Sequence, residues 1–129
     1  MRYLCLAYGD ESKMKGLSQS ETDALVRELA VYDEELRKSG HLVSGTSLGW
    51  GATTLRLRNG KLAITDGPFA ATKEVVGGLV VIDARDLNEA IQVASLHPAA
   101  RMGEHLGWGL EVRPIEEHPP CRPQPANGG

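Results

Sequence analysis

The 129-residue chain has only two cysteines, Cys5 and Cys121. One sits in an apolar run and the other in a proline-rich stretch, so no disulfide framework is expected. Aromatics are scarce and scattered, with one Phe, two Trp and three Tyr. That supply is too thin for base-stacking platforms. Charge of one sign is also lacking: 14 Lys and Arg face 17 Asp and Glu, for a net charge of -3. With no basic stripe, a direct nucleic-acid partner is not expected. No apolar run approaches the roughly 20 residues that a membrane-crossing helix needs. The start, Met1 to Tyr8, is basic then apolar, but Gly9-Asp10-Glu11 ends it early and no small-residue cleavage site follows. The expectation is a cytoplasmic chain without membrane contact. Walker, dinucleotide-binding, nucleophile-elbow and HExxH motifs are missing. His41, His97, His105 and His118 have no metal-ligand spacing, so neither metal nor cofactor is expected.

What is present reads as one domain, 1–115, followed by a Pro/Gly-rich tail, 116–129, expected to be disordered. Tyr3 to Tyr8 is apolar at alternating and intervening positions, the mark of a strand covered on both sides. Ser18-Gln19-Ser20-Glu21 is a capping box. The helix it opens places Leu25, Leu29, Tyr32 and Leu36 on one face, and Gly40 stops it. Leu42 to Leu48 can form a strand. Thr53 to Arg58 and Lys61 to Thr65 flank Asn59-Gly60, a hairpin turn that places Leu55, Leu57, Leu62 and Ile64 on one face. Leu79 to Ile82 is a second strand without a polar face. Asp86 caps a second helix, with Leu87, Ala90, Ile91 and Ala94 as the expected buried stripe. Trp108 to Arg113 makes the last strand.

Setting the hairpin aside leaves β-α-β-β-α-β, so the fold class is α+β, ferredoxin-like with an inserted hairpin. In that plan both helices cover one side of the sheet. The two strands without a polar face would be central, and a second copy of the chain is the simplest cover for the other side. A homodimer is therefore expected.

The segment Thr65-Asp66-Gly67-Pro68-Phe69-Ala70-Ala71-Thr72-Lys73-Glu74 combines a rigid turn with clustered polar groups. Asp66 can accept backbone hydrogen bonds within the turn, and Phe69 can peg it into an apolar pocket. As a structural unit it is a rigid turn; as a site it offers Thr65, Asp66, Phe69, Thr72, Lys73 and Glu74 to a ligand. Glu111 and Arg113 alternate on a strand and form either an ion pair or an anchor for an anionic ligand. Tyr8 completes the binding candidates. Asp66, Glu74 and His97 are the catalytic candidates, although His97, before Pro98, reads first as a cation at a helix C-terminus. Trp50 and Trp108, each between glycines, fit a core, an interface or a pocket wall.

Asp66-Gly67-Pro68-Phe69, with Thr72-Lys73-Glu74 and Gly77-Gly78 beyond, resembles the signature of the DGPF branch of YCII-related proteins. Arg2-Tyr3, Tyr8-Gly9-Asp10, Glu34-Glu35-Leu36, Pro98-Ala99-Ala100 and Glu111-Val112-Arg113-Pro114-Ile115 support the likeness, which runs from Met1 to about Ile115. It implies a ferredoxin-like dimer of the dimeric α/β-barrel type and no established reaction. Some relatives look like accessory proteins of alternative sigma factors, which implies a regulatory role. The better-studied YCII branch is similar to a hydrolase or lyase design with a His on the first helix and an Asp before a Pro. Those positions fall near Leu29 and on His97 here, so that dyad does not carry over.

Two functions follow as expectations. One is a small-molecule-binding module with a regulatory role. The other is a small enzyme doing acid/base chemistry, hydrolase, lyase or isomerase-like, on a small organic acid.

Overall fold

The computed structural model describes residues 1–116, so the tail expected over 116–129 lies, but for Glu116, outside the described residues. Strand β1 (Arg2–Asp10) leads through a short helix α1 (Glu11–Lys15) to the long helix α2 (Gln19–Lys38). Strand β2 (Leu42–Ser47), hairpin strands β3 (Thr53–Arg58) and β4 (Lys61–Asp66), and strand β5 (Glu74–Asp83) follow. Helices α3 (Leu87–Ala94) and α4 (Pro98–Arg101), one 3-10 turn and strand β6 (Gly109–Pro114) close the described chain.

Local chemistry explains most boundaries. Ser18 Oγ accepts from the Glu21 amide while Glu21 Oε1 accepts from the Ser18 amide, which satisfies two orphan donors at the start of α2. Asp86 accepts from the Glu89 amide and starts α3 in the same way. Asp10 does so for α1, a helix that the strand-ending Gly9-Asp10-Glu11 reading did not foresee. Asn59 and Gly60 both adopt positive φ, at 50° and 75°, as the tight hairpin turn demands.

The main sheet has the order β2-β5-β1-β6, with every neighbouring pair antiparallel. The fold is α+β, and this order is compatible with the ferredoxin-like plan. The two strands apolar on both faces, β1 and β5, are the central ones. The hairpin stands apart as its own two-stranded sheet.

One sheet face carries the core. Tyr3 and Cys5 of β1 and Ile82 of β5 pack with Leu36 of α2 and with Ala90, Val93 and Ala94 of α3. Leu36 is almost fully buried, which is worth about 1.5–3 kcal/mol. The stripe of α3 differs from expectation. Val93 joins Ala90 and Ala94, while Leu87 and Ile91 are exposed. The helix is rotated so that small side chains meet the sheet and let it approach closely.

The opposite sheet face holds Leu4, Leu6, Leu79 and Val81, which are only partly covered. The hairpin is more open still. Leu55 pairs with Ile64 and Leu57 with Leu62, as the turn dictated, and Leu57 is 75% exposed. Among the described residues no helix is long and apolar enough to cross a membrane.

Candidate functional site

A cavity of about 580 Å³ opens between α2, the start of α4 and the helix-covered sheet face. Ligand sites commonly measure about 300–1,000 Å³, so a small molecule fits. Its floor is built from missing side chains: Gly45 of β2 and Gly77 and Gly78 of β5 sit beside Ala7 of β1. Gly77 is also where the register slips, because Ala7 pairs with Gly78 and Tyr8 with Val76. A bulge with glycine at a sheet floor is a usual device for bringing a ligand near backbone.

Trp50 and Trp108 supply aromatic wall. Trp108 is fixed on three sides. Its indole N–H donates to Met14 Sδ at 3.2 Å, and its ring lies against Gly9 and Gly103. A Cβ at Gly103 would come within 2.3 Å of Trp108 Cδ2, so only glycine fits there.

His97 is half-buried and lines the same cavity. Sequence placed it as a cation at a helix C-terminus. It is instead the N-cap of α4: Nδ1 accepts from the Ala99 amide at 2.9 Å, and Pro98 occupies the first helical position. A ring nitrogen can accept only when it carries no proton, so the neutral tautomer holds its hydrogen on Nε2. Burial pushes the imidazole pKa down, and the Asp33 carboxylate pulls weakly the other way. Both the cap and the burial favour the neutral ring, with Nε2–H as a donor.

Asp33 and Arg37, one helical turn apart on α2, also line the cavity, as do Thr46 and Ser47. Arg37 is ion-paired with Glu34. Asp33 makes no ion pair among the described residues. None of these four was singled out from sequence. Leu29, Asp33 and Arg37 share one helical face at spacings of four, so a carboxylate adjoining the buried stripe was the available signal.

The other candidates fall elsewhere. Thr65 and Asp66 end β4, opposite Thr54 and Thr53. The Asp66 carboxylate makes no hydrogen bond among the described residues. The turn is held by Gly67 instead, whose amide donates to Ala52 O and whose carbonyl accepts from Thr54 Oγ1. Phe69 is not pegged into a pocket: it is 72% exposed, with the Arg56 guanidinium 4.7 Å from its ring centroid. Thr72 Oγ1 donates to the Glu74 carbonyl, and Lys73 is exposed. Glu74 pairs across the ladder with Asp10, and both approach Gly107.

Glu111 and Arg113 lie on the open sheet face, opposite Leu6 and Leu4. Glu111 accepts from the Tyr8 hydroxyl at 3.0 Å, a bond that raises the Tyr8 pKa. Tyr8 touches the cavity lining, but alternation along β1 turns its ring to the face opposite Ala7. Of the binding and catalytic candidates only Tyr8 and His97 reach the cavity lining, joined there by Trp50 and Trp108. Asp66, Glu74 and Arg113 do not converge there.

The YCII-related domain model matches residues 1–117. A Rhizobium meliloti (strain 1021) protein named only as uncharacterised is 33% identical over 122 residues, covering 93% of this chain and 96% of that one. A segment of an sn-glycerol-3-phosphate import ATP-binding protein from Burkholderia ambifaria is 32% identical over 104 residues, 80% of this chain. This chain spans only 28% of that relative, and the same holds for the corresponding Burkholderia lata protein.

Proposed function

The chain belongs to the YCII-related domain family, and on that premise we propose that it is a small-molecule-binding module. The observation that carries the reading is the cavity of about 580 Å³ with a half-buried imidazole held as a hydrogen-bond donor. A glycine floor, two tryptophans and one fixed donor suit recognition of a flat ligand bearing an acceptor. A regulatory role, cytoplasmic and linked to alternative sigma factors, belongs to the same proposal and rests on the DGPF resemblance alone.

The proposal includes a homodimer. Leu4, Leu6, Leu79 and Val81 form a partly covered apolar face, and the hairpin adds four exposed aliphatic side chains, Leu55, Leu57, Leu62 and Ile64. Exposed apolar side chains of that kind favour a partner, and a second copy of the chain is the simplest one. Thr65, Asp66, Phe69, Thr72, Lys73 and Glu74 would meet a ligand only where such pairing brings them to a cavity.

Acid/base catalysis is the second reading, favoured by a half-buried His near a carboxylate that makes no ion pair among the described residues. The cap opposes it. For Nε2 to accept a proton as general base, the ring would have to move its hydrogen to Nδ1 and break the bond from Ala99. A thermal-shift screen of small acids, amines, lactones and esters tests both readings, with Trp50→Ala and Asp66→Asn as variants. Binding lost in Trp50→Ala but kept in Asp66→Asn is expected. Turnover of any compound, with a pH profile that vanishes in His97→Asn, would replace binding by catalysis.

A further inference from the structure

Resting on the binding reading above, we propose that the cavity selects a small organic cation: a flat body against the tryptophans, an ammonium group on Asp33 and a neutral acceptor on His97. The charges around the cavity lead to this choice. Its lining includes two ionised side chains, Asp33 and Arg37. Arg37 is ion-paired with Glu34. On the same helix Glu35 is paired with Arg101, and Asp23 accepts from Gln19. Asp33 alone faces the cavity without an ion pair among the described residues, so the free charge at the mouth is negative.

The donors point the same way. An anion entering here would want N–H groups, yet the Trp108 indole N–H is spent on Met14 Sδ. What Trp108 still offers is its ring, whose π face attracts cations. His97 keeps Nε2–H, a single uncharged donor that suits a carbonyl or ring nitrogen. A carboxylate ligand could take hydrogen bonds from His97 and from the Thr46 and Ser47 hydroxyls, but it would meet the field of Asp33. An amine meets Asp33 and the aromatic wall together.

The test is isothermal titration of the full chain with three probes that share one ring system: tryptamine, indole-3-acetamide and indole-3-acetate. The expected order of affinity is amine, then amide, then carboxylate. Asp33→Asn should weaken tryptamine about two- to fivefold, the size usual for a solvent-exposed charge pair, and leave the amide unchanged. Added salt should shrink the preference for the amine. Indole-3-acetate binding as well as or better than tryptamine overturns the cation assignment while leaving the binding reading intact. So does tryptamine binding that is lost in Trp50→Ala yet indifferent to Asp33→Asn. Failure of all three probes at millimolar concentration also overturns it; the broader compound screen then decides separately whether the cavity binds anything.

Discussion

Replacing His97 separates its structural work from its ligand contact. The imidazole caps α4 through Nδ1, and the amide it serves belongs to Ala99, which is buried. His97→Ala leaves that amide without an acceptor and should cost about 1–2 kcal/mol. For a domain of this size that corresponds to a fall in Tm of roughly 4–8 °C. His97→Asn restores an acceptor at the cap and should return most of the loss at pH 8. The two variants also differ from wild type in pH response. Burial lowers the folded-state pKa of His97 below its ordinary 6.5. As pH falls, the unfolded chain therefore takes up a proton before the folded one does. Stability is fully present above about 6.5 and is lost as pH drops toward the lower folded value. Protonation of Nδ1 also abolishes the cap, so the two effects reinforce each other. Urea unfolding at pH 8, 7, 6 and 5 reads both. Asp10, Glu21 and Glu89 have pKa values lowered mainly by backbone hydrogen bonds, and their contributions fade only in the more acidic carboxylate range. The difference between wild type and His97→Asn over pH 8 to 5 thus isolates His97. Parallel stability curves for the two, or an Ala variant as stable as wild type, would refute the capped, neutral imidazole.

Gly103→Ala should lower Tm by more than the loss of the cap does, because φ is 75° and the new Cβ would strike Trp108. The control Gly49→Ala, with open space around it, should leave Tm unchanged. Burial pushes the Cys5 thiol up to about 11, so iodoacetamide at pH 8 should leave Cys5 unmodified in the native protein and label it only after unfolding, as peptide mapping would report. If two copies pair through the hairpin, the double change Leu57→Lys and Leu62→Lys should convert a dimer to a folded monomer in light scattering; an unchanged mass removes the hairpin from the interface.

Short-range chemistry was legible in the sequence wherever one or two residues decide an outcome. Ser18 with Glu21 started α2, Asp86 started α3, and Asn59-Gly60 set a hairpin register that pairs Leu55 with Ile64 and Leu57 with Leu62. The unbroken apolar character of β1 and β5 marked the two strands that lie centrally in the sheet, where neighbours on either side shield much of both faces. Tertiary structure decided whatever depends on which faces meet. Leu87 and Ile91 have the right spacing for burial, yet α3 turns Ala90, Val93 and Ala94 inward instead. The Asp66 to Glu74 segment looked chemical because its polar residues cluster in sequence, but none of them lines the cavity. The site instead gathers Asp33, Gly45, Gly78, His97 and Trp108, which are spread over most of the chain. No spacing rule joins them. His97 shows the physical reason most plainly: one imidazole reads as a cation at a helix end, until its neighbours bury it and ask Nδ1 to accept a hydrogen bond.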